Sequence, residues 1–157
     1  TGQLLQEAPL LSHAAHPRVL DDLGSVPALE WLARQTREHT GLQVHVRADV
    51  DEEAAGLSDA TAAALYRVAQ ESLRNVERHA HARSAHLELR DDGDALALEV
   101  RDDGRGFRLD EAEVRRPGMG LFSMRERLGL VGGTLEIDTA PGRGTVVRAR
   151  APRDSFA

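Results

Sequence analysis

The sequence contains no cysteine. Disulfides and thiolate metal centres are therefore excluded, and a reducing compartment is permitted. Lysine is absent as well: every basic residue other than histidine is arginine, including at plainly exposed positions such as Arg37. This reads as compositional bias, and it removes the P-loop, whose GK[ST] needs the amine. Aromatics are scarce, with three Phe, one Tyr and one Trp, so a core has to be built from Leu, Val and Ala. No apolar run approaches the ~20 residues needed to cross a membrane as a helix, and no signal-peptide pattern opens the chain. The expectation is a soluble, cytoplasmic chain, with any inner-membrane anchoring of a larger parent left open. The seven histidines include His79-x-His81 but show no zinc-type spacing, and HExxH is missing. The net charge of -6 argues against a general nucleic-acid binder, which is usually basic.

What is present fits one domain with a real core in 157 residues. Residues 1–17 are an uneven mix that reads as a tail or the end of another element. After Asp21-Asp22, Val26, Leu29, Leu32 and Ala33 recur at helical spacing, and Gly41 is placed to stop the helix. Leu42, Val44, Val46 and Ala48 alternate as in a half-buried strand. Ser58 is a good N-cap for a long helix over roughly residues 59–79, with Leu65, Val68, Ala69, Ser72, Leu73 and Val76 on its apolar face. Ala85, Leu87 and Leu89 form one alternating strand and Leu96, Leu98 and Val100 another. Asp91-Asp92-Gly93-Asp94 between them is a hairpin signal. A polar segment follows, then a helix from Leu121 ending at Gly132-Gly133, then a last hairpin around Pro141-Gly142-Arg143-Gly144. This order suggests one mixed sheet with helices on one face, a two-layer α/β sandwich.

Four groups of residues carry chemistry. Glu71, Asn75 and His79 are four apart on the long helix and share a face, with Arg74 and Arg78 beside them. An Asn there can ligate Mg²⁺ through its amide oxygen, a Glu can act as a base or orienting group, and Arg and His can neutralise phosphates. A solvated helix face with i,i+4 pairs accounts for the same pattern. Second, Asp102 continues the inward register of Leu96, Leu98 and Val100 and ends in Asp103-Gly104-Arg105-Gly106-Phe107. A carboxylate on that side needs a partner, and an adenine amino group is a suitable donor. Gly104 and Gly106 would let a flat base approach the backbone, although an ordinary Asp-Gly turn explains the motif equally well. Third, Gly118-Met119-Gly120-Leu121 opens a helix, where free N–H groups favour an anion. Fourth, Gly142-Arg143-Gly144-Thr145 enters the final strand, and alone is a good hairpin turn.

Taken in order, these groups resemble the GHKL ATPase superfamily, which takes in histidine kinases, gyrase, Hsp90 and MutL. QESLRNVERHAHA resembles its N box, DDGRGF its first glycine box, GMGLFSMRERLGLVGG the second and GRGT the third. GxGLxxMRERL, with HPRVLDDLGSVPALEWLA at residues 16–33, is similar to the NarX/DesK type of two-component sensor kinase. The resemblance covers roughly residues 16–150. It implies a Bergerat-type fold that binds ATP and Mg²⁺ and passes the γ-phosphoryl group to a His on a separate dimerisation helix, for relay to a response regulator. Carried onto this sequence, Asn75 would hold Mg²⁺ and Glu71 would serve as base or orienting group. Arg78 and His79 would lie near the phosphates. Asp102 would bind the adenine amino group, with Gly104 and Gly106 beneath the base. Gly118, Gly120 and Leu121 would frame the phosphate end of a lid spanning residues 107–118, and Thr145 would sit near the adenine.

The resemblance also divides the chain: residues 1–20 as the end of a dimerisation and phosphoacceptor domain, 21–152 as the ATP-binding catalytic domain, and 153–157 as a tail. An ELHD-like acceptor motif is missing, and His13 and His16 in SHAAHPRV are poor substitutes. The chain is expected to be monomeric and to act on an acceptor helix it does not carry. The rival readings are a GHKL protein-serine kinase or ATPase, and a domain that binds nucleotide without catalysis. The MRER box and the HPRVLDDLG segment argue against the first. Glu71, Asn75 and Asp102 argue against the second.

Overall fold

The computed structural model describes residues 18–50, 59–110 and 120–153. The helices are α1 (Arg18–Leu23), α2 (Ser25–Thr40), α3 (Asp59–Asn75) and α4 (Leu121–Leu130). The strands are β1 (Gln43–Asp49), β2 (Ser84–Asp91), β3 (Ala95–Asp102), β4 (Thr134–Thr139) and β5 (Thr145–Pro152). The expected cap at Ser58, most of the expected lid, and Gly118 lie outside the described residues.

The strands form one sheet in the order β1-β2-β3-β5-β4. β1 runs parallel to β2, and the other neighbours are antiparallel, so the sheet is mixed, as expected. The period-two alternation sorts the two faces. Val44, Ala85, Leu87, Leu89, Leu96, Leu98, Val100, Val147, Ala149 and Ala151 are all buried beneath the helices. His45, His86, Arg90 and Arg101 on the opposite face are exposed. Helix α2 buries Ala28, Leu29, Leu32 and Ala33, and α3 buries Leu65, Val68, Ala69 and Leu73. Each fully buried Leu of this set contributes about 1.5–3 kcal/mol relative to exposure. Gly41 ends α2 in a left-handed conformation, its N–H donating to the Arg37 carbonyl.

Two features were not foreseen. The short helix α1 straddles the expected boundary at residue 20 and sends Leu20 into the core. The long helix also does not remain α-helical to residue 79. After Asn75 it widens into a π-helical turn, Val76–Ala80, closed by His81 at a φ of 52°. Single π turns of this kind recur at functional sites.

Candidate functional site

The π turn lies where α3 passes over the ends of β3 and β5, and a cavity opens between helix and sheet. It is small and partly open to solvent, with about 30 Å³ of free volume. Asn75 and His79 line it from the helix, and Asp102 and Thr145 from the strand ends. Val76, Val100, Phe107, Leu121, Ile137 and Val147 make its walls largely apolar, and Gly106 completes the rim.

Register places the polar groups. Val44, Ala85, Asp102, Thr145 and Thr139 form one inward row across all five strands. The row begins in hydrophobic core and ends in carboxylate and hydroxyl because Asp102 and Thr145 sit where the sheet runs out from under the helices. Asp102 is buried, and one carboxylate oxygen accepts from the Gly104 N–H at 2.8 Å. Burial pushes its carboxyl above the ordinary carboxylate range, and neighbouring Asp103 adds to this. The Gly104 and Thr145 backbone groups pull the other way. A buried carboxyl that lines a cavity is a candidate to meet a ligand donor. Asp103 behaves oppositely: it accepts from the Arg83 and Ser84 N–H groups at 2.9 and 3.0 Å and from the Ser84 hydroxyl. Those bonds hold its carboxyl below the ordinary range and pin the start of β2.

Arg105 organises the site from outside. Its Nε donates to the His79 carbonyl at 2.6 Å, and its backbone N–H donates to the Ala80 carbonyl at 2.7 Å. Its own carbonyl accepts from the Gly142 N–H at 2.6 Å. One residue thus satisfies the carbonyls left open at the end of the π turn and ties them to the β4–β5 hairpin. Gly106, at a φ of 63°, threads between the Ala140 and Gly144 carbonyls, where a Cβ has no room. The Thr139 hydroxyl closes the same corner, accepting from the Phe107 N–H at 3.1 Å and bonding Thr145 Oγ1 at 2.9 Å.

The structure brings together Asn75, His79, Asp102, Gly106, Leu121 and Thr145 at one cavity. Glu71 and Gly120 sit beside it in mutual contact. Arg78 is exposed and Gly104 is packed against the Ala80 carbonyl; neither lines the cavity. Sequence reasoning assigned no site role to Ser72, Thr139 or Ile137. Ser72 was legible only as part of an apolar stripe, and its hydroxyl indeed faces the Met124 sulfur. Among the described residues no group of three or more His, Cys, Asp or Glu is arranged to hold a metal ion.

A helix-borne amide and imidazole facing a strand-end carboxylate across an apolar cavity define a nucleotide-binding domain of the two-layer ATPase kind. Residues 60–155 match the family described as histidine kinase-, DNA gyrase B- and HSP90-like ATPase, and the chain belongs to that family. Similar proteins include the sensor histidine kinase MctS of Rhizobium johnstonii, 38% identical over 156 residues, covering 96% of this chain and 32% of that protein. They also include the histidine-protein kinase/phosphatase DegS of Bacillus subtilis, 32% identical over 138 residues, covering 87% and 36% respectively. The histidine kinase domain of the blue-light activated kinase from Erythrobacter litoralis EL346 superposes with a TM-score of 0.61 at 28% identity, over 79% of this chain and 58% of that one. The chain is an ATP-binding domain of the kind found in sensor histidine kinases. It spans about a third of the length of these two curated relatives.

Proposed function

We propose that this domain binds Mg·ATP in the α3–sheet cavity and passes the γ-phosphoryl group to a histidine on a separate dimerisation helix of its parent kinase, for relay to a response regulator. The observation that carries the reading is the convergence of Asn75 and His79 with Asp102 and Thr145 on one cavity.

Asp102 takes the adenine amino group, and Thr145 and Gly106 border the base. His79 faces the phosphates, with Arg78 as an outlying cation. Gly118, Gly120 and Leu121 frame the phosphate end. Asn75 is the cavity's one side-chain amide, and a single protein oxygen suits Mg²⁺, which binds through few protein ligands and takes the rest from water and substrate phosphates. The ion would neutralise charge on the transferring phosphoryl group. Glu71 orients the incoming imidazole. In the transfer, the bond from Pγ to the ADP oxygen breaks as a P–N bond forms, and the protein supplies position and charge compensation. The working site of the parent would be cytoplasmic.

The test is labelled ATP incubated with the domain and a separately supplied acceptor helix of the parent. Acid-labile label on the helix, lost with Glu71→Ala or Asn75→Ala, supports the reading. Label on a serine, or release of phosphate with no labelled protein, would replace it.

A further inference from the structure

The face of the sheet turned away from the helices carries an arrangement that the nucleotide cleft does not use. His45 on β1 and His86 on β2 are direct neighbours in the parallel register. Both are exposed, and their rings stack with centroids 4.9 Å apart and planes 22° from parallel. Among the described residues neither ring is hydrogen-bonded. Of the surrounding charges, Arg101, opposite His86 on β3, pairs with Glu99 at 2.7 Å, and Glu88 with Arg90 at 3.4 Å, while Arg47 is exposed. Gln43 and Arg47 flank His45 along β1, and Ser84 and Glu88 flank His86 along β2. Two aromatic nitrogen ligands therefore stand side by side on rigid strands, on a chain whose net charge of -6 favours cations.

We propose that His45 and His86 form a surface site for a divalent transition metal of the zinc class, with water completing the coordination. Imidazole is a good ligand for zinc, copper and nickel. Two nitrogens at ~2.0–2.1 Å from one ion lie about 3–3.5 Å apart. Neighbouring strands, about 4.7–4.9 Å apart, put both rings within that reach. The stacked rings must turn to direct their in-plane lone pairs at one ion. His χ2 is a broad torsion, and exposed rings can make that turn without moving the backbone. Mg²⁺ prefers oxygen ligands, so this site is chemically separate from Asn75.

The experiment is calorimetric titration of zinc chloride into the 157-residue chain in excess Mg²⁺, with ring-nitrogen NMR of the histidines. One-to-one binding is expected, with the His45 and His86 signals moving together. His45→Ala and His86→Ala should each weaken binding by more than the ~10–100-fold that second-shell changes cost. His39→Ala, His81→Ala and Asn75→Ala should leave it unchanged. Because both rings are exposed, thermal melts without zinc should match the unmodified chain and so separate ligand loss from misfolding. Zinc affinity unchanged in either the His45 or the His86 variant, or lost in His81→Ala, overturns the site.

Discussion

The carboxylate of Glu71 packs against Gly120, so that a Cβ at position 120 would lie 2.7 Å from Glu71 Oε2 and 3.2 Å from Cδ. Gly120 opens α4 with a φ of 71°, so α3, which carries the proposed orienting group, and the start of α4 meet through a residue without a side chain. Glu71 also makes a loose ion pair with Arg74, at 3.8 Å.

Gly120→Ala is therefore expected to displace Glu71 as well as strain the start of α4. The left-handed conformation alone costs about 1–2 kcal/mol for a residue with a Cβ. The phosphotransfer rate should fall by a larger factor than nucleotide affinity, since transfer needs Glu71 in place as well as the phosphate end that Gly120 borders. Gly129→Ala, in α4 with nothing within 4 Å of a new Cβ, is the control and should raise stability by up to about 1 kcal/mol. Parallel thermal melts and single-turnover transfer check both. Equal transfer rates in the two variants would separate Glu71 from the chemistry.

Tyr66 offers a test of the core. It is buried, its hydroxyl has no hydrogen-bond partner among the described residues, and burial pushes its pKa up to about 12. An unpaired buried hydroxyl costs about 1–3 kcal/mol. Tyr66→Phe keeps the ring and removes the orphan, so it should leave stability unchanged or raise it by about 1 kcal/mol in a urea melt. A loss exceeding 1 kcal/mol would mean that the hydroxyl has a partner.

The fold was largely legible because hydrophobic alternation carries register: the inward row Ala85, Leu87, Leu89 against Val100 and Leu98 follows from period two alone. The same logic placed Asp102 beside the cavity. The π turn was not legible, because Val76–Ala80 is made of residues equally at home in an α-helix, and the His79 and Ala80 carbonyls at its end are met by Arg105, far along the chain. Gly104 looked like a platform for a base because its sequence neighbours suggest one; its actual constraint is the close approach of the Ala80 carbonyl. Long-range backbone contacts of this kind leave no periodic trace. The burial of Leu20 in the core is likewise a tertiary fact without a periodic trace.

Asp102 and Asp103 predict opposite pH dependences. The folded carboxyl of Asp102 is raised, mainly by burial. Its contribution to stability is fully present below the ordinary carboxylate range and is lost as pH rises through the folded value. Asp102→Asn should therefore melt no lower than the unmodified chain at neutral pH without nucleotide. It should bind ATP roughly ten- to a hundred-fold more weakly, as expected for a lost charged hydrogen bond of about 1.5–3 kcal/mol, and discriminate less against GTP. Asp103 is lowered, so its contribution exists above the ordinary range and disappears on acidification through the folded value. Asp103→Asn should lower the melting temperature at neutral pH and flatten the acid limb. Melts across pH, with calorimetry for ATP and GTP, check both. Equal affinity of the unmodified domain for ATP and GTP would remove the adenine role.

Mg²⁺ dependence rests on Asn75. Asn75→Ala should reduce the gain in ATP affinity that Mg²⁺ provides while the melting temperature changes little, because position 75 is only half-buried. Titrations with and without EDTA measure this. An ATP affinity in the unmodified chain that ignores EDTA would end the assignment.

The chain alone is expected not to phosphorylate itself, yet to phosphorylate an acceptor helix supplied separately. Self-transfer would need one of its own seven histidines. His79 lines the cavity on the π turn, four residues from Asn75, with its carbonyl held by Arg105. It can contact a phosphate, but an in-line position would require the turn to unwind. His45 and His86 lie on the far face of the sheet. His39 is in the last turn of α2, its Nδ1 bonded to the Gln35 carbonyl, and His81 is held in the left-handed residue that ends the π turn. None has a path to the cavity without unfolding its element. His13 and His16 lie outside the described residues and are the serious competitors. Without docking they would gain no alignment, and alignment supplies ~7–11 kcal/mol of a transfer barrier. Incubating the chain alone with labelled ATP should therefore leave it unlabelled. Acid-labile label that disappears in His13→Ala or His16→Ala would show instead that the N-terminal segment reaches the γ-phosphate.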